Sequence, residues 1–357
     1  MRIQPGGRDC LRPLDSEGAL AYHVALRSMK RQQLGKTGVE VSRIGLGCAT
    51  FGREVDQATS FALMDYAIAN GITLFDTAEA YGGGQARDYR RTQLKIDDTR
   101  EVSGEYHSSE KIIGRWLRAT SLRKQIFLIS KVTTNFSRRH VLEALQASLE
   151  RLNTDYLDLY LFHSFDQQTP LEEALDAMEE VKRAGLTRFV GCSNFTAEQT
   201  RRAFALGGRS GARLDAVEAV CNLALREAEQ DLLPFCAQQG LGFLAYSPLA
   251  AGFLTGKYSG NRAQMPAGSR FHVIPGHADI YFNERSFHAL AELQALEREI
   301  GIPAVQLAIA WVLAHSAVTS VLCGARTISH LENALAAMNF KFPAHWEWPA
   351  LLKTELC

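Results

Sequence analysis

The chain has 357 residues, of which 46% are hydrophobic and 22% charged, and its formal net charge is zero. That balance fits a globular protein and excludes a disordered, fibrous or strongly basic nucleic-acid-binding chain. The length suits two domains or one large α/β barrel, and no apolar run approaches the roughly 20 residues that span a bilayer.

The first 28 residues lack a targeting pattern. Met29 opens Lys30-Arg-Gln-Gln-Leu-Gly-Lys-Thr-Gly38, so 1–28 is expected as an upstream extension, 29–345 as the barrel and 346–357 as a tail. Gln33 to Val41 alternates and turns between Gly35 and Gly38, which predicts a hairpin. Short apolar runs follow at 43–48, 72–76, 126–131, 157–162, 187–192, 215–220, 241–246 and 319–323. Helix-length segments lie between them at 57–70, 109–120, 137–152, 171–184, 196–206, 228–239 and 303–315. Eight strands alternating with helices predict a single (β/α)8 barrel. In 137–152, Val141, Leu142, Leu145, Leu149 and Leu152 form a stripe for packing on such a barrel. Two polar insertions, 82–107 and 259–285, follow the second and seventh strands and are expected at the mouth as lids or binding loops.

Seven cysteines are scattered without CxxC spacing. Neither a disulfide framework nor a structural zinc site is expected, and the setting reads as reducing and cytoplasmic.

Three of the apolar runs end in a titratable residue: Asp76, Lys131 and His163. Tyr81 sits five residues after Asp76, beside a Gly-rich stretch. A parallel barrel gathers strand ends at one mouth, where such enzymes keep their chemistry. Carbonyl reduction needs a hydride donor and a proton, and a phenol is a weak acid unless an ammonium lowers its pKa. Lys131 would be that ammonium, Asp76 would hold it, and His163 would bond the substrate oxygen or share a proton with Tyr81.

The ordered set Asp76, Tyr81, Lys131 and His163 resembles the tetrad of the aldo-keto reductase superfamily, over about Arg31 to Ala337. The resemblance implies Tyr81 as general acid/base, tuned by Lys131 and Asp76, with His163 orienting the carbonyl. It also implies a nicotinamide cofactor. Ser193 and Asn194 match the pair that grips the carboxamide, and Tyr246 the ring beneath the nicotinamide. Ser247, Leu249, Gly252 and Lys257 belong to a segment resembling the pyrophosphate loop. Gly324 and Arg326 precede a helix starting at Ile328, a ready anion site. Arg326 would clamp a 2′-phosphate, favouring NADP(H), with NAD(H) possible.

Three positions depart from the family pattern. Glu218 stands where the family often has glutamine, and a carboxylate there would favour the positive oxidised nicotinamide. Cys221 replaces an aromatic and reads as core filler. His330 and Ala334 stand where Gln and Asn often reach the adenine, with Asn333 one step early. The expected substrates are small carbonyls or alcohols: aldehydes, ketones, sugars or alicyclic alcohols. The competing readings are a cofactor-binding regulatory subunit resembling the potassium-channel β subunits, and a lyase forming a Schiff base at Lys131. Neither a nucleic acid nor a membrane is an expected partner.

Overall fold

A computed structural model describes residues 29–340 except residue 212, and the side chains of 208–210 are not described. The expected extension at 1–28 and tail at 346–357 lie outside the described residues. Arg31–Gln33 (β1) and Glu40–Ser42 (β2) pair antiparallel as the expected hairpin. The barrel strands are Ile44–Gly47 (β3), Leu74–Asp76 (β4), Phe127–Val132 (β5), Leu157–Phe162 (β6), Thr187–Ser193 (β7), Ala216–Val220 (β8), Gly242–Tyr246 (β9) and Ser320–Gly324 (β10). They run parallel in sequence order, and β10 pairs with both β9 and β3 to close the barrel. This is the (β/α)8 barrel that the alternating pattern predicts.

The hairpin plugs the N-terminal end. Leu34 and Val41 are fully buried among inward residues of the strands, including Leu74, Ile129, Leu159 and Leu244. Lys36 N donates to Gly240 O at 2.9 Å. A Cβ on Gly35 would stand 2.4 Å from that same carbonyl oxygen, and its φ is +54°, so only glycine seats the hairpin this closely.

Helices pack outside the strands. In Arg138–Leu152 the buried face is Val141, Leu145, Leu149 and Leu152, joined by Ala144 and Ser148, while Leu142 is only half-buried. The expected helix over 228–239 is instead two, Glu227–Gln230 and Leu232–Gln239, broken at Asp231. Pro234 has no N–H to give the Gln230 carbonyl, so the chain restarts a helix with proline in its first turn. A 17-residue helix, Glu284–Ile300, lies where no segment was assigned; Asn283 caps its start and Gly301, at φ +71°, ends it.

The two insertions carry structure of their own. The first holds a helix over Gly83–Tyr89 and a wider turn over Arg90–Leu94. The second holds short helices at Arg270–Val273 and His277–Tyr281. Arg90, fully buried, joins them: it pairs with Glu101 and donates to Val273 O at 3.1 Å. Arg100 donates to His272 O at 2.7 Å. In the second segment Phe271 stacks on Tyr258 at 4.1 Å between ring centroids.

Candidate active site

Side chains alternate across a strand, so every second residue faces the barrel axis. The inward apolar series includes Leu74, Ile129, Leu161, Ala216, Leu244 and Leu322. Two residues further along each of these chains stand Asp76, Lys131, His163, Glu218, Tyr246 and Gly324. Ser193 ends β7 beside Glu218 in register. The barrel core therefore finishes, at the C-terminal mouth, in a ring of polar groups drawn from successive strands.

Lys131 lies at the centre of the ring and is fully buried. Its Nζ donates to an Asp76 carboxylate oxygen and, at 3.0 Å, to Thr77 O. Glu218 Oε2 stands 3.4 Å from the same Nζ. The Tyr81 ring centroid is 5.0 Å from that ammonium, and the His163 ring meets Tyr81 edge-on at 5.3 Å. The structure thus brings Asp76, Tyr81, Lys131 and His163 together as the sequence order suggests. Thr77, which supplies a carbonyl, carries no signal in the sequence because the contact is made by its backbone.

Charge and burial compete here. Burial disfavours the Lys131 ammonium, but Asp76, Glu218 and Tyr81 outweigh it and raise its pKa. Burial raises the Tyr81 phenol; Lys131 opposes this, while Asp76 and Glu218 add to it. The expected lowering by Lys131 is present, yet burial outweighs it. Burial, then the Lys131 charge, pushes His163 down to about 3, so its imidazole is neutral at pH 7. Its buried Nδ1 has no hydrogen-bond partner among the described residues. A neutral imidazole can donate one hydrogen bond to a substrate oxygen.

A second line of residues runs beside the first. Ser193 Oγ donates to Glu218 Oε1 at 3.3 Å. Asn194 Nδ2 donates to His163 O at 2.8 Å and to Ser193 Oγ at 3.1 Å. Tyr246 OH donates to Asn194 Oδ1 at 2.6 Å. Asn194 and Ser247 both take left-handed backbone, φ +59° and +53°, as the chain leaves its strands. Ser247 O accepts from Asn222 Nδ2 at 3.0 Å, which fixes that turn. Glu218, expected on the cofactor side, faces Lys131 and Ser193.

The turn after β9 brings Leu249 O to Gly252 N at 2.9 Å. Gly252 has φ +89°, and a Cβ there would stand 2.9 Å from Lys257 Nζ. Burial lowers the Lys257 pKa, and the nearby Arg326 lowers it further. His330 is lowered by burial, then by Arg326 and Lys257. Arg326 N donates to His330 Nδ1 at 3.1 Å, and its guanidinium donates to Gly268 O at 2.6 Å. Mutual repulsion among neighbouring cations marks a place that an anion would relieve. Gly324 ends β10, two residues before Arg326 in the chain. Asn333, by contrast, accepts from Gln306 at 2.9 Å, and Ala334 is fully buried. Cys221 is fully buried, as core filler would be.

The family model for the aldo/keto reductase family matches residues 43–346. The chain belongs to the aldo/keto reductase family. It is 32% identical over 336 residues to an uncharacterized oxidoreductase, YrpG, of Bacillus subtilis (strain 168), covering 87% of this chain and 91% of that one. Aldo-keto reductase YhdN of the same organism is 31% identical over 322 residues, 85% of this chain and 87% of that one. A probable voltage-gated potassium channel subunit beta of Arabidopsis thaliana is 29% identical over 329 residues, 87% and 92% of the two chains. Among the described residues no helix is long and apolar enough to cross a membrane.

Proposed function

We propose that this oxidoreductase uses NADP(H) and interconverts carbonyl and alcohol substrates, with Tyr81 as proton donor and acceptor. The observation that carries this reading is the buried Lys131 ammonium between Asp76 and Glu218, 5.0 Å from the Tyr81 ring centroid. A bound nicotinamide would supply or accept the hydride.

The residues present fit such a cofactor. Ser193 and Asn194 offer a hydroxyl and an amide where the chain leaves β7, and Tyr246 offers a ring face held by its bond to Asn194. Lys257, Arg326 and His330 offer converging positive charge and donors for phosphate. In the direction of reduction, Tyr81 would give its phenolic proton to the substrate oxygen, and Lys131 would stabilise the phenolate that remains. His163, neutral, would position that oxygen through a hydrogen bond. Asp76 keeps Lys131 charged and fixed.

The same geometry speaks against a Schiff-base lyase. That chemistry needs a free amine, while Lys131 is held as ammonium by two carboxylates. Likeness to a plant protein named as a channel subunit leaves a regulatory role as the second reading, and turnover separates the two. A panel of aldehydes, ketones, sugars and alicyclic alcohols, followed by cofactor absorbance with NADPH, NADH, NADP⁺ and NAD⁺, tests the proposal. Turnover is expected, faster with the phosphorylated pair. No turnover of any substrate with any cofactor would overturn it.

A further inference from the structure

Three ionisable groups meet with no solvent between them: Lys131 is fully buried, Glu218 is 2% exposed and Asp76 is 4% exposed. With both carboxylates ionised the trio carries one uncompensated negative charge. Burying such a charge is strongly disfavoured. Asp76 makes the close contact with Lys131, whereas Glu218 Oε2 stands 3.4 Å away and has no hydrogen-bond partner among the described residues. Glu218 is therefore the less well satisfied anion.

We propose that Asp76 and Glu218 hold one proton between them at neutral pH, resident mainly on Glu218, and that Glu218 is a pH-responsive positioning residue for the Tyr81–Lys131 pair.

Burial, with the Asp76 charge adding to it, raises the Glu218 carboxyl to about 8, against the pull of Lys131. Asp76 is raised by burial too, but Lys131 offsets more of it. The groups that face the pair from neighbouring elements do not compete for this titration. Lys131 of β5 stays charged, and Tyr81 after β4 and Tyr246 of β9 are both raised above the ordinary phenol. The thiols of Cys48 and Cys192 are raised by burial. His163 titrates far below, at about 3. Each proton lost from the pair goes to solvent and leaves a second anion beside Tyr81. That anion raises the phenol further, so Tyr81 becomes a weaker donor for reduction and, for oxidation, reaches its proton-accepting phenolate form only at higher pH.

The kinetic arm of the test rests on the proposed carbonyl–alcohol chemistry; the spectroscopic arm does not. Infrared spectra of the unliganded protein should show a buried carboxylic-acid carbonyl stretch at pH 7 that disappears as pH rises through about 8. The band should shift on ¹³C-carboxyl labelling of glutamate and not of aspartate, and should be missing in Glu218→Gln. Absence of the band at pH 7, or a shift with labelled aspartate alone, overturns the proposal, and the labelled wild type decides it even if the variant fails to fold. In kinetics, wild-type reduction should fall by up to roughly tenfold across the titration. Glu218→Gln should lose that limb and move the basic limb of oxidation to lower pH. An unchanged profile in a folded, active variant overturns the positioning role. Failure of turnover in every case with the infrared band intact would overturn only the proposed reaction.

Discussion

Glu218 faces Lys131 across the barrel mouth, its Oε2 3.4 Å from an ammonium already held by Asp76. The lysine thus serves two carboxylates, and its removal should be felt first as an electrostatic loss. Lys131→Met leaves Asp76 and Glu218 buried without a cation, a change that typically costs about 3–5 kcal/mol. Both carboxyls, already raised by burial, would then be raised further in the folded state alone, so the variant binds more protons folded than unfolded. Stability should be lost as pH rises through the folded pKa values and recovered on acidification. Denaturant unfolding of the variant at acid and alkaline pH checks this; a deficit independent of pH would contradict it.

His163 is held neutral, at about 3 against an ordinary 6.5. A group with a depressed folded pKa contributes stability above its unfolded value, and that contribution is lost as pH falls toward the folded one. The pH profile of reduction should therefore show no limb from His163 near neutrality, and the ring should resist protonation in an NMR titration down to acid denaturation. A His163 resonance titrating between about pH 6 and 7 would refute its neutral role.

Arg326 is the expected discriminator between the two cofactors. A charge-assisted bond to phosphate is worth about 1.5–3 kcal/mol, or roughly ten- to a hundredfold in affinity. Arg326→Ala should weaken NADPH binding by that factor and leave NADH nearly unchanged in a fluorescence titration. Equal losses would assign Arg326 a structural task, through its bond to Gly268 O.

Buried Arg90, paired with Glu101 inside the 82–107 segment, ties that segment to 259–285 by donating to Val273 O. Glu101→Gln leaves the buried Arg90 guanidinium with Asp98, 3.3 Å from its Nε, as its remaining carboxylate, with an expected cost of up to about 3–5 kcal/mol. Because the loss falls at the mouth, limited proteolysis should cut within 259–285 well before the barrel unfolds. Simultaneous loss of barrel and mouth would show that the two unfold together.

The barrel was legible because strands buried on both faces read as short continuous apolar runs, and three of the four tetrad residues stand at the ends of such runs. Asp76, Lys131 and His163 announce themselves by ending apolar segments. Glu218 lies inside β8 and gives no such signal; that it faces Lys131 of β5 depends on register from β5 through β8, which local sequence does not encode. The mouth segments were misleading for a different reason. Their order comes from long-range pairs such as Arg90 with Val273 O, 183 residues apart, so polar composition alone reads as open loop. The split at Asp231 follows from Pro234, a residue whose missing N–H matters only once a helix is drawn through it.

The central claim is that Tyr81 moves the proton while hydride passes to the carbonyl carbon. NADPH deuterated on the transferring face of C4, incubated with an accepted aldehyde or ketone, tests it directly. Deuterium should appear on the carbinol carbon of the alcohol. In Tyr81→Phe, which removes only the hydroxyl, that transfer should slow by roughly 10²–10⁴-fold while NADPH still binds. Labelled alcohol formed at the wild-type rate by Tyr81→Phe would contradict the account.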